Sequence, residues 1–239
     1  MLLAIDTATQ RASLALDDGV EILAEHNWLC VNNHTMELAP QVEHMLRTAG
    51  VRADALEALA VALGPGSFTG LRIGLAFAKG LALANALPLL GVPTLDIVAY
   101  AQPKRDGSLL AVLSAGRGRI AVGAYRWDEV GWQADGPARI TYWDGVLRGL
   151  GNENVSVCGE IDAAARDILG EQVSFAPAPL NVRRAACLIA IARQRLVSGQ
   201  TDDPNALTPL YLSAPEGGEQ PARNRGILRS SSSHSLIRR

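Results

Sequence analysis

The glycine-rich stretch from Gly64 to Gly74 (GPGSFTGLRIG) is where residue types and spacing first suggest chemistry. Backbone N–H groups in such a turn, at the start of a helix, can bind an anion such as phosphate. The same glycines can instead form a tight turn that orients the following helix. The stretch lacks the Gly-Lys-Ser/Thr ending of a phosphate-binding loop, and Lys79 lies well inside the helix. The spacing therefore favours a turn that orients the helix, with an anion site as the second reading.

Two further polar residues, Asp6 and Thr7, follow a buried strand predicted from Leu2 to Ile5. In actin-like ATPases, an aspartate followed by small hydroxyl residues at this point faces the metal and the phosphates. An aspartate and a threonine after a strand also form simple turns by hydrogen-bonding to nearby backbone. The residues alone favour the turn, and the phosphate-facing role stays open as the alternative.

The elements that would position these residues alternate between strands and helices. A turn signal at 17–19 (DDG) between strand-like segments predicts an antiparallel meander at the start of the chain. Apolar residues then recur at helical spacing from His34 to Ala49, with Asn33 as N-cap and Gly50 at the end. A short strand from Leu59 to Leu63 leads into the glycine turn.

The helix predicted from Ser67 to Ala86 is apolar almost all round. Such a helix needs cover on more than one side, and its own sheet supplies only one. Complete burial inside a larger core and contact with a partner protein would both provide the second cover. An apolar stripe that begins at Phe68 is expected, and small residues such as Ala76 and Gly80 would permit close approach of another helix.

Composition limits the classes of function. The chain has 239 residues, 48% of them hydrophobic, so it can bury a sizeable core. A net charge of −2 argues against a nucleic-acid binder that acts alone, because phosphate contacts require clustered Lys and Arg. The distant cysteines Cys30, Cys158 and Cys187 favour neither a disulfide framework nor a zinc site, and predict a cytoplasmic protein. Lys79 and Asn85 interrupt the longest apolar run, so no membrane contact is expected.

Several motifs together resemble the TsaB (YeaZ) family of bacterial tRNA-modification proteins. These are GPGSFTGLRIG from Gly64, HTxxLxPxV from His34 and AIDTAT from Ala4. The resemblance continues in LGVPTL from Leu90 and in the closing PLYL from Pro209, and it is strongest over the first hundred residues.

This resemblance implies an α/β fold of two actin-like (ASKHA, ribonuclease-H-like) lobes with mixed sheets and flanking helices. It implies a non-catalytic subunit that binds TsaD while TsaD transfers a threonylcarbamoyl group to the adenosine beside the tRNA anticodon. TsaE would join the complex, tRNA would be reached only through the complex, and the chain would form a homodimer when alone. No cofactor, metal or catalytic residue is expected. The alternative is an actin-like ATPase or kinase that acts on its own.

The second half of the chain bears on that alternative. A first lobe is expected at 1–102, a second at 103–214 and a disordered basic tail at 215–239. Ser114 stands where family members usually have an aspartate, so a metal-water ligand is missing. The strand that ends at Gly159 offers one glycine where actin-like ATPases use a pair for adenosine. Both departures weaken the ATPase reading.

The expected contact with TsaD uses the two helices of the first lobe, packed against the equivalent helices of the partner. The residues predicted for this contact are His34, Thr35, Leu38, Val42, Met45, Leu71, Leu75, Ala76, Lys79 and Ala82. A vestigial nucleotide or anion site is predicted at Asp6, Thr7, Gly64, Gly66, Ser67 and Gly159.

Overall fold

The computed structural model describes residues 1–31 and 33–212. The predicted basic tail at 215–239 therefore lies outside the described residues.

A five-stranded mixed sheet forms the centre of the N-terminal half, because its inner strands are continuous apolar runs that are buried on both faces. The strand order is β3-β2-β1-β4-β5. The antiparallel β1–β2 and β2–β3 pairs confirm the predicted meander, whereas β4 pairs parallel with β1 and with β5. The bounds are β1 Leu2–Asp6, β2 Arg11–Asp17, β3 Ile22–Leu29, β4 Ala58–Gly64 and β5 Leu89–Pro93.

Helices cover both faces of this sheet, and β1 shows why. Leu3 and Ile5 point to the core shared with α1 and α2, whereas Leu2 and Ala4 point to the core shared with α6. This alternation is the two-residue period of a strand. The bounds are α1 His34–Thr48, α2 Phe68–Asn85, α3 Thr94–Tyr100 and α6 Ala185–Val197.

A second mixed sheet, with strand order β11-β10-β6-β7-β8, forms the centre of the other half, and β9 pairs with β7. Helices α4 and α5 cover it, and α3 contributes to its core and to that of the first sheet. Its strands are β6 Ser108–Ser114, β7 Ile120–Trp127, β8 Trp132–Ala134, β9 Arg139–Thr141, β10 Val155–Gly159 and β11 Ser174–Phe175. The helices are α4 Trp143–Arg148 and α5 Ala163–Leu169. Two mixed sheets with flanking helices confirm the expected fold class.

The return of α6 to the first sheet was not visible in the sequence. Ala185, Leu188 and Ile189 of this helix pack against Leu2 and Ala4 of β1. The predicted lobe boundary at 102/103 stays a prediction. Helix α6 follows that boundary in the sequence but packs on the first sheet.

The N-cap positions of α1 and α2 differ in their hydrogen bonds. Ser67 is the N-cap of α2, and its hydroxyl accepts a hydrogen bond of 3.3 Å from the N–H of Gly70. Asn33 occupies the N-cap position of α1, but its side chain makes no capping hydrogen bond, so that part of the prediction is wrong.

Candidate functional site

The glycine motif lets the start of α2 lie directly against the turn after β1. A Cβ atom on Gly66 would overlap the carbonyl oxygen of Ala8, and one on Gly70 would overlap that of Thr7. The Ser67 N–H donates to Ala8 O at 2.6 Å, and the Thr7 hydroxyl donates to Gly70 O at 2.7 Å. These hydrogen bonds and close approaches fix the helix on the sheet. Close packing therefore explains these glycines without a phosphate.

Asp6 ends β1 at the same place, and both of its carboxylate oxygens already have donors. Its side chain is fully buried; Oδ1 accepts from the N–H of Ala8 at 2.9 Å, and Oδ2 accepts from Nε of Arg183. The aspartate thus forms the predicted turn and, in addition, a buried ion pair. Sequence reasoning missed Arg183, because it stands 177 positions further along the chain.

Arg183 joins the two halves of the molecule at this point. Its side chain is only 2% exposed, and Nη2 donates to Thr9 Oγ1 at 3.1 Å and to Arg11 O at 2.7 Å. Nη1 approaches Glu160 Oε1 at 3.5 Å, just after β10. Burial alone would lower the pKa of Arg183, but the charges of Asp6 and Glu160 outweigh it and raise that pKa. The guanidinium is therefore a permanent cation beside Asp6.

A cavity of about 770 Å³ opens between the glycine turn and the second sheet. Gly66 and Ser67 line it, together with Arg11 and Arg119. The other four residues of the predicted anion site, which are Asp6, Thr7, Gly64 and Gly159, are not in its lining, and the anion site stays a prediction.

Gly159 has a backbone role instead. It adopts a φ of +105°, and a Cβ there would overlap the carbonyl oxygen of Val112 on β6. Its N–H donates to Asn181 Oδ1 at 2.9 Å. The close approach of β10 to β6 therefore accounts for this glycine.

Most of the predicted partner-contact residues lie inside the chain's own core. This is a correction, because a side chain buried under its own sheet cannot form an exposed contact face. Thr35 and Ala76 are exposed, and Lys79 is half-buried. His34 is buried, with Nε2 at 3.1 Å from Thr9 O. The other buried members are Leu38, Val42, Met45, Leu71, Leu75 and Ala82.

The same helices expose apolar residues that the sequence did not single out. Met36 on α1 is 76% exposed and Leu83 on α2 is 86% exposed. Phe68, at the start of the predicted apolar stripe of α2, is also exposed. On α2, Ala76, Gly80 and Leu83 follow one another at helical spacing, so one long face of this helix remains uncovered.

The last described residues cross the glycine turn as a strap, defined here as Pro209–Leu212. The N–H of Leu210 donates to Leu63 O at 2.7 Å, and the ring of Tyr211 stacks on that of Phe68 with a centroid distance of 5.1 Å. Arg72 lies over the Phe68 ring at 3.7 Å and donates from Nε to Tyr211 Oη at 3.0 Å. The strap therefore supports the start of α2.

In residues 1–31 and 33–212, no group of three or more His, Cys, Asp or Glu side chains is placed to hold a metal ion. Within the same ranges, no helix has the length and apolar composition that crossing a membrane requires.

A model of one protein family matches residues 28–214 of the chain, and its description is "TsaD: tRNA N6-adenosine threonylcarbamoyltransferase". Among solved structures, YeaZ from Pseudomonas aeruginosa has a similar fold, with a TM-score of 0.74 and 25% sequence identity. That match covers 88% of this chain and 99% of the other.

The curated relatives differ in how much of the chain they match. The tRNA threonylcarbamoyladenosine biosynthesis protein TsaB of Escherichia coli K12 is 41% identical over 138 residues, which is 56% of this chain and 59% of that protein. The TsaB protein of Bacillus subtilis 168 is 32% identical over 53% of this chain and 55% of its own length. The chain thus spans little more than half of these two relatives. An uncharacterized protein of Mycobacterium tuberculosis H37Rv is 30% identical over 90% of this chain and 92% of its own.

Proposed function

We propose that this chain is an accessory subunit in tRNA threonylcarbamoyladenosine biosynthesis. The chain belongs to the TsaD family of the matching model and, within that family, to the TsaB/YeaZ proteins. In this role it binds a TsaD partner and does not itself carry out the transfer. TsaE joins the complex, and tRNA is bound by the assembly.

The buried pair of Asp6 and Arg183 is the observation that carries the non-catalytic role. A divalent cation at Asp6 would meet the Arg183 guanidinium, which already binds Oδ2. Two cations at one buried carboxylate repel each other strongly, since the interior screens charge poorly. Asp6 is therefore engaged in holding the chain together and is not available for a metal and its phosphates. This supports the accessory role over the ATPase or kinase alternative.

The uncovered face of α1 and α2 is the proposed contact with TsaD. Met36 on α1 and Leu83 on α2 expose apolar side chains, and the exposed small residues Ala76 and Gly80 on α2 let another helix approach closely. A TsaD partner of related fold would offer equivalent helices, so the two pairs would form a four-helix contact. In the absence of TsaD, the same face would pair two copies of this chain.

The interface proposal is tested by Ala76→Arg, with Ala164→Arg as the matched control. Both alanines are exposed on helices, but Ala164 lies on α5 of the second sheet. We expect Ala76→Arg to weaken binding to purified TsaD at least 100-fold in titration calorimetry, while circular dichroism and melting temperature stay unchanged. Ala164→Arg should bind as the wild type does. Unchanged affinity of Ala76→Arg would refute the proposed face.

The non-catalytic role has its own test. The isolated chain is titrated with ATP and magnesium in the calorimeter, and phosphate release is followed over hours. We expect no turnover from the chain alone, and turnover that Asp6→Asn abolishes would establish the ATPase alternative instead.

A further inference from the structure

A second cavity, of about 590 Å³, shares the strap residues Leu210, Tyr211 and Leu212 with the 770 Å³ cavity but is otherwise lined mainly by other elements. Its floor comes from the start of α3 and from β7, and its rim from the loop after β8 and from the strap. The volume is in the range that holds a small organic molecule. The walls are mainly apolar, with Pro93, Leu95, Ala124, Pro137, Ala138 and Leu212 in the lining.

Asp96 is the only charged side chain in that lining, as far as residues 1–31 and 33–212 show. Its Oδ1 accepts a hydrogen bond of 2.7 Å from the hydroxyl of Tyr125. Within the described part of the chain, Oδ2 receives no hydrogen bond. Burial raises the pKa of Asp96, and the hydrogen bond from Tyr125 offsets this only in part. Partial burial therefore disfavours the charged form of Asp96, and a bound cation would stabilise that form.

Two aromatic residues contribute to the same lining, and the hydroxyl of one of them, Tyr125, is hydrogen-bonded to this carboxylate. Tyr125 and Tyr211 both line the cavity, and their faces carry the negative quadrupole that attracts organic cations. No lysine or arginine of the described chain contributes to the lining, so an anionic ligand would meet Asp96 without a compensating charge. Charge and wall chemistry thus select a ligand with a positive end and an apolar body.

The cavity also depends on a glycine. A Cβ on Gly123 would lie 3.0 Å from Cε2 of Tyr125 and 3.3 Å from Cδ1 of Leu95. Both side chains would have to move, and the floor beside Asp96 would change shape. Glycine at this point of β7 keeps the Tyr125 hydroxyl directed at the carboxylate.

We propose that this cavity is a binding site for a small organic ammonium compound, with the ammonium group on Asp96 and the apolar body against the proline and leucine walls. The site is separate from the contact face of α1 and α2 and does not depend on the proposed function.

Three probes of matched size test the charge preference: benzylammonium, benzyl alcohol and phenylacetate. Each is titrated at neutral pH into the full-length chain, and binding is followed by NMR shifts of the Gly123 and Ala124 amides. We expect the dissociation constant of benzylammonium to be at least tenfold lower than that of benzyl alcohol. Phenylacetate should cause no shift of these amides. Equal binding of benzylammonium and benzyl alcohol would overturn the proposal.

Two variants locate the site. Asp96→Asn keeps an acceptor for the Tyr125 hydroxyl but removes the charge, so benzylammonium should bind only as well as benzyl alcohol. Ala134→Phe adds bulk at an exposed residue of the rim and should abolish binding of both probes without affecting folding. Ala164→Phe, on α5, is the matched control and should bind both probes normally. Benzylammonium binding that survives in both test variants would show that the cation binds elsewhere.

Discussion

Replacement of Arg183 by methionine is expected to destabilise the whole protein, because Arg183 joins its two halves at a buried point. Methionine keeps much of the side-chain length but carries neither the charge nor the donors. The Asp6 carboxylate, which is 0% exposed, would then keep only the N–H of Ala8 as a donor. Thr9 Oγ1 and Arg11 O would each lose the Nη2 donor.

The magnitude follows from these losses. Removing one partner of a buried ion pair costs about 3–5 kcal/mol, because the remaining charge stays buried without compensation. A domain of this size has a total stability of about 5–15 kcal/mol, so the loss is a large share of it. At about 2–4 °C per kcal/mol, the melting temperature should fall by about 6–20 °C.

Urea titration followed by circular dichroism measures the change, and a double-mutant cycle with Asp6→Asn shows its origin. In the double variant neither the aspartate charge nor the arginine charge remains, so its loss should be smaller than the sum of the two single losses by about 2 kcal/mol. Arg52→Met is the matched control, since Arg52 and its partner Asp54 pair at the surface, where their side chains are 84% and 61% exposed. Its expected cost is below about 1 kcal/mol.

Two results would refute the reasoning. One is a melting temperature of Arg183→Met within about 2 °C of the wild type, because that change corresponds to less than about 1 kcal/mol. The other is strict additivity in the cycle with Asp6→Asn, which would mean that the two groups do not stabilise each other.

Three further predictions concern packing and pH. Gly66→Ala should lower the free energy of unfolding by about 1–3 kcal/mol in urea titration, because its Cβ would overlap Ala8 O, whereas Gly80→Ala has open space and should raise it slightly. Leu75→Glu should unfold the protein, as measured by circular dichroism, because the Leu75 side chain is buried and a carboxylate there would have no partner. A folded Leu75→Glu protein would contradict the assignment of Leu75 to the core. Burial raises the pKa of Asp96, so the native state holds its proton to higher pH than the unfolded state does. The free energy of unfolding of the wild type, relative to that of Asp96→Asn, should therefore fall as pH rises from about 4 to 7. A difference between the two proteins that does not change with pH would refute the raised pKa of Asp96.

The sequence predicted the elements of the first half well, because their signals are local. Alternation and apolar runs placed the meander and β4, and helical spacing placed α1 within a residue of its observed end at Thr48. The glycine motif correctly indicated a turn that orients α2, since glycine is required wherever two backbones approach closely. An anion site at this motif was the alternative interpretation. Four of the six residues predicted for that site are outside the lining of the 770 Å³ cavity.

The tertiary structure decided which faces of those elements stay uncovered. Helical spacing identifies an apolar stripe but not whether the chain's own sheet or a partner covers it. Leu38, Val42 and Leu75 are covered by the first sheet, whereas Met36 and Leu83 remain exposed. The proposed contact face is therefore on the opposite side of the helices from the apolar stripe that the sequence pattern identifies.

What the sequence alone determined is therefore the order and type of the elements, the glycine turn and the family, because each depends on residues that are close together in the chain. Only the tertiary structure brought Arg183 to Asp6. Likewise, only the tertiary structure placed Asp96 in the lining of an apolar cavity. Arg183 comes just before α6, which returns to the first sheet after the second has formed. No local pattern encodes such a pairing, because it depends on how the whole chain is folded.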